Sequence, residues 1–293
     1  MSVSEPQSLF LRLPPELRLD IYKEVLLHNP HSHCTFASTK PALLPTSIDY
    51  HEGHHTAANH VEPNAVTLSI RAEDPTNYKS RAPKHVRSAF FVRSGGLRPG
   101  CVPTTYFCVS NMGIHTSLLR ANARIYAEAV EVLYSNHVFD FDMHIEAFVG
   151  FLGDLTPFAR NCIRSIRLVK RALPYDKEYS KAEWAIAMRW CARLPSLRSL
   201  SLGIVAGKPG PDGWDLIPAF KPEHFDILKG TEGMEWIEEL LAVKGLDHIQ
   251  VEPIVVHSPF PRSAAMARYI QFSASIDDGS FEVWLKDNML KKA

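Results

Sequence analysis

No apolar run in this sequence approaches the roughly 18–20 residues that cross a bilayer. The opening residues, MSVSEPQSLFLRLPPELR, lack the basic start and uninterrupted apolar stretch of a secretion signal. Cysteine is sparse: five in 293 residues, an odd number with no C-x-x-C pair, exclude a disulfide framework, a zinc ribbon and a thioredoxin-like redox site. This usage predicts a reducing, intracellular setting, cytoplasmic or nuclear. No G-x-S-x-G, phosphate-binding Walker loop or G-x-G-x-x-G occurs, so nucleophile-elbow hydrolysis and dinucleotide binding are not expected. The expectation is a non-enzymatic chain with no cofactor and no membrane segment.

Net charge is lacking as well, since 32 Lys and Arg offset 32 Asp and Glu. The balance is a cancellation. No acidic residue lies between Pro75 and Ala127, where Lys79, Arg81, Lys84, Arg87, Arg93, Arg98, Arg120 and Arg124 fall, while residues 207–256 are acidic. A polarised surface of this kind steers a charged partner without attracting polyanions wholesale. Phe90 and Phe91 lie among the basic residues, but no nucleic-acid motif frames them, so nucleic acid is not expected as a partner. At 45% apolar and 22% charged, the composition is that of a globular chain able to bury a core.

Residues 8–28 read as a helix. Pro14 and Pro15 suit a first turn, Glu16 complements the positive end, and Leu17, Ile21 and Val25 form one apolar stripe with Leu13 just before it. Residues 29–64 change character, with Pro30, Pro41, Pro45, Pro63 and a run of histidines, and read as a polar loop. Within it, His51-Glu52-Gly53-His54-His55 is formally H-E-x-x-H, in which His51 and His55 on a helix would bind zinc and Glu52 would activate water. Gly53 inside that helix and the absence of a well-spaced third ligand argue against a zinc hydrolase, and no metal site is assigned. Adventitious binding by His31, His33, Cys34, His51, His54 and His55 is the stronger expectation.

Ala65–Ile70 and Ala89–Arg93 read as strands, and SGGLRPGCVP as loop. Residues 117–134 predict a helix capped by Ser117, followed by a strand over His137–Phe141. The pattern then repeats. Helical MHIEAFVGFLGDL, KAEWAIAMRWCARL and MEWIEELLAV each lead to a strand, at 163–169, 197–205 and 246–256. YIQFSASI (269–276) reads as an edge strand and FEVWLKDNML as a closing helix. The fold class expected is α+β or α/β, with repeated helix–strand units forming a mainly parallel sheet. The domains expected are a helix at 1–28, an insertion at 29–116 and an α/β domain at 117–293, the last either separate from 8–28 or continuous with it.

Two segments carry a family resemblance. FLRLPPELRLDIYKEVLL resembles the opening helix of F-box and fungal F-box-like proteins. SLLRANARIYAEAVEVLYSNHVFDF is similar to the second conserved pattern of that fungal group, through Leu118, Leu119, Arg124, Ile125, Tyr126, Glu128, Ala129, Leu133, Tyr134, Ser135, Asn136, Phe139 and Phe141. The resemblance implies a substrate receptor of a cullin-type ubiquitin ligase, docking on an adaptor protein through Leu13, Pro14, Leu17 and Ile21 while the rest of the chain recruits a target protein. A full F-box is contiguous, whereas a long segment separates the two matches here. A scaffold without a ligase link is the alternative.

Overall fold

The structure, a computed structural model, describes residues 8–27, 66–73, 91–94, 100–103, 105–108, 116–172, 178–208, 217–257 and 263–291. The chain divides into two compact units, Met1–Thr67 with Asn111–His137, and Leu68–Ser110 with Val138–Ala293. Residues 117–137, expected at the head of the α/β domain, thus share a unit with the N-terminal helix.

The described part of the first unit is helical. A 3-10 turn at Leu9–Arg12 precedes α1, Pro15–Leu27, whose first position is proline and whose first turn holds Glu16. A second 3-10 turn, Thr116–Arg120, precedes α2, Ala123–Asn136. The single helix expected from Ser117 onward is therefore broken, and the cap is Asn122. Its side chain accepts the Arg124 amide at 2.8 Å, satisfying one of the N–H groups that a helix start leaves orphaned.

The second unit is built on a six-stranded sheet in the order β4-β1-β5-β6-β7-β8. Its strands are β1 (Val66–Glu73), β4 (Thr105–Cys108), β5 (His137–Asp140), β6 (Ser165–Arg171), β7 (Ser199–Lys208) and β8 (His248–His257). Strands β5 to β8 run parallel, β1 and β4 antiparallel. The mainly parallel α/β architecture expected from the helix–strand repeats is the one observed. β2 (Phe91–Ser94) and β3 (Gly100–Pro103) form a separate antiparallel pair, so part of SGGLRPGCVP is strand and not loop.

The connecting helices are α3 (Ile145–Asp154), α4 (Pro157–Asn161), α5 (Glu178–Ala192), α6 (Phe225–Leu228), α7 (Trp236–Leu240), α8 (Ala264–Asp277) and α9 (Ser280–Met289). Pairing aligns Ile166 with Leu200 and Ile249, and Leu168 with Leu202, so these side chains share one face. Helices cover that face: Phe139 and Tyr106 meet Phe151 of α3, and Lys170 meets Trp184 of α5. Trp184, Phe225, Trp236, Phe272, Phe281 and Trp284 then continue as one aromatic cluster across α5 to α9. Phe281 is fully buried among four of these rings. Phe281→Ala is expected to cost about 3–5 kcal/mol, read as a lowered urea midpoint at unchanged slope.

YIQFSASI is not the edge strand that its alternation suggests. It lies within α8, where Tyr269, Phe272 and Ile276 face the core at helical spacing. Ser273 and Ser275 donate their hydroxyls to the carbonyls of Tyr269 and Gln271, four residues back, which settles polar side chains inside a helix. At the β8 edge, Glu282 of α9 accepts the Val251 amide at 2.7 Å. That contact occupies an edge donor otherwise open to strand addition.

Candidate functional site

The face that α1 turns inward is polar at its centre. Arg18, Tyr22 and Leu26, each one turn from the next, are buried at 1%, 0% and 1% exposure. Arg18 donates to Glu128 of α2 through Nε at 2.8 Å and Nη2 at 2.7 Å, and also reaches the Leu13 carbonyl. The Tyr22 hydroxyl donates to the same carboxylate at 3.0 Å, and Arg124 donates to it at 3.2 Å. A fork-to-fork pair of this kind fixes orientation as well as distance, because both planes must coincide. Around it, Tyr22 and Leu26 pack with Ile125, Ala129, Val132 and Leu133, while Phe10, Leu11, Leu118 and Leu119 close the periphery.

These contacts set the rotation of α1. The stripe expected to be the helix's apolar face is turned out: Leu17 is 51% and Ile21 38% exposed, and Val25 is half-buried. Of the other residues assigned to docking, Pro14 is exposed and Leu13 half-buried. Sequence reasoning missed two further exposed leucines here, Leu9 and Leu19. Four of the seven large apolar side chains exposed among the described residues come from this one segment, which concentrates uncovered apolar surface on unit one.

The electrostatics follow from the same geometry. Hydrogen bonding from Arg18 is the largest influence on Glu128 and holds its carboxyl at about 2, against a usual 4.5. Burial, followed by the bond to Glu128, pushes the Tyr22 hydroxyl up to about 12 from 10. A depressed carboxylate stabilises the fold in full above its unfolded value and loses that contribution as pH falls through the folded one. The α1–α2 packing is therefore expected to weaken between pH 4.5 and about 2, seen as faster amide exchange in α1 on acidification.

A second ionic cluster lies on the sheet of the other unit. Asp140 accepts from Arg71 at 3.1 Å and from Arg167 at 3.3 Å, and Arg167 continues to Glu252 at 3.0 Å. The chain of alternating charges ties β1, β5, β6 and β8 together and is internally satisfied, which suits a structural role. The His51, Glu52 and His55 motif, the histidine run and most of the basic stretch lie outside the described residues. Among the described residues, no three His, Cys, Asp or Glu side chains are grouped to hold a metal ion. No described helix is long and apolar enough to cross a membrane.

In a comparison with protein families, residues 97–216 match a domain of unknown function, DUF7730. The matched span contains α2 and its capping turn together with β3 to β7, and excludes α1. No curated protein and no solved structure matches the chain.

Proposed function

We propose that the chain is a non-catalytic protein-interaction module, an F-box-like substrate receptor of a cullin-type ubiquitin ligase. In this reading α1 docks on the ligase adaptor through Leu13, Pro14, Leu17 and Ile21, and the α/β unit recruits a target protein. One observation carries it. The two segments that resemble the F-box-like pattern, 110 positions apart at Arg18 and Glu128, pack as one helical unit that leaves Leu17 and Ile21 outward. The separation that departs from a contiguous F-box is thus bridged by side-chain contact. An uncovered apolar stripe on a rigidly held helix is also the surface type that docks in a partner's groove. The reading places the protein inside the cell, in cytoplasm or nucleus, where such ligases act.

Retrieval of the purified adaptor by the full chain is the experiment. Adaptor retained by wild type supports the reading, and a chain that retrieves none at micromolar concentrations removes it.

A further inference from the structure

Positive charge gathers where β6 and β7 of the α/β unit begin. Residues 155–175 and 184–211 contain no Asp or Glu, but five and four Lys or Arg respectively. The fold brings the two segments together. The Arg198 and Ser199 amides both donate to the Arg164 carbonyl, at 2.8 and 2.9 Å, which joins the two strand starts. Just ahead of those starts, α4 meets the last turn of α5. The Arg160 guanidinium carbon lies 5.1 Å from the centre of the Trp190 ring, a cation over an aromatic face.

Trp190 belongs to the outer side of α5. Trp184, Ala187, Met188 and Cys191 are buried in the core, whereas Arg189 is exposed and Trp190 half-buried. Arg193 is exposed as well, and its amide donates to the Trp190 carbonyl at 3.0 Å. It lies four residues from Arg189 and three from Trp190, spacings that place side chains on one side of a helix. Arg160, held over the ring, adds a third guanidinium to that side. Among the described residues, no carboxylate pairs with Arg160, Arg189 or Arg193. Arg198 differs, since it meets Asp247 at 3.6 Å.

We propose that this patch binds an acidic segment of a partner protein, with carboxylates at alternate positions of an extended stretch. Each guanidinium offers a planar fork of donors that matches a carboxylate. Arg189 and Arg193 are separated by roughly 6 Å of helix rise. Alternate residues of an extended chain are separated by roughly 6.7 Å, close to that interval. Arg160 is already ordered by the ring, so less side-chain freedom is lost on binding. A nucleic acid is disfavoured: single strands stack bases on aromatic rings, and Arg160 covers the face of Trp190. The identity of the partner rests on the receptor reading: it is the target that the α/β unit recruits, acidic where it docks.

The test omits the adaptor, so its failure leaves adaptor docking standing. The folded full chain is titrated into a fluorescein-labelled peptide of six Asp-Ala repeats, and into the same peptide with Asn for every Asp. Labelled single-stranded DNA and RNA hexanucleotides, similar in charge to the acidic peptide, are run beside them. Salt is kept low, because exposed charges are screened, and fluorescence anisotropy is read. Saturable binding of the Asp peptide is expected, absent with the Asn peptide and tighter than with either hexanucleotide. Arg189→Gln and Arg193→Gln, at exposed positions that leave the fold intact, should each weaken it about two- to fivefold. Arg160→Gln, Arg189→Gln and Arg193→Gln together should weaken it about tenfold or more. Lys229→Gln removes the same charge at a residue that pairs with Asp226, and should leave binding unchanged. No saturation, unchanged binding in the folded triple variant, equal weakening by Lys229→Gln, or a hexanucleotide bound as tightly as the acidic peptide overturns the proposal.

Discussion

Glu128→Ala releases α1 from α2. The substitution leaves the Arg18 guanidinium, 1% exposed, without its carboxylate and removes the acceptor of the Tyr22 hydroxyl. Deleting one member of an interior pair is more damaging than the pair is stabilising, because the other member stays desolvated and uncompensated. Amide exchange across Pro15–Leu27 is expected to accelerate at least about tenfold, while the exchange of β6 and β7 stays unchanged. Glu128→Gln keeps the shape and one acceptor and should fall between wild type and alanine. Exchanging the charges, with Arg18→Glu and Glu128→Arg together, should recover part of the protection that either change alone removes. Unchanged α1 exchange in Glu128→Ala would show that the surrounding apolar contacts alone hold the helix.

Sequence pattern alone does not decide which face of α1 is buried. In α1, Leu17-Ile21-Val25 and Arg18-Tyr22-Leu26 are both series of spacing four, one residue out of phase. Hydropathy favours the first as the buried stripe. The choice is made by Glu128, distant in sequence, because the second series carries the groups that can pair with it. By contrast, the helix–strand alternation from His137 to His257 is legible, since each strand carries closely spaced β-branched, leucine or aromatic residues and follows a helical segment.

Two local readings failed for physical reasons that sit in single residues. Ser117 looked like a cap, but Asn122 takes that role and divides the segment into a 3-10 turn and a helix. YIQFSASI alternates over a short window, and only the longer spacing of Tyr269, Phe272 and Ile276 reveals the helix. Nothing in the sequence distinguishes Lys170. Within β6 it reads as one more basic residue, and its burial against Trp184 depends on which strand face the helices cover.

The second large effect concerns the outward stripe. Leu17→Asp and Ile21→Asp alter exposed positions, so both variants should fold with the wild-type exchange pattern in α1. At the centre of an interface, each would set an unpaired carboxylate in an apolar contact, a loss of about 2 kcal/mol or more. That corresponds to adaptor binding weakened about thirtyfold or more. Lys23→Ala, on an exposed side chain whose ion pair with Asp20 is itself exposed, is the matched control and should leave binding unchanged.

Calorimetric titration of the purified adaptor into the full chain, wild type beside Leu17→Asp and Ile21→Asp, tests the central claim most directly. The account predicts saturable binding to wild type and its loss in both variants, with α1 still protected from exchange. Absence of heat with wild type, or folded variants that bind as wild type does, would contradict it.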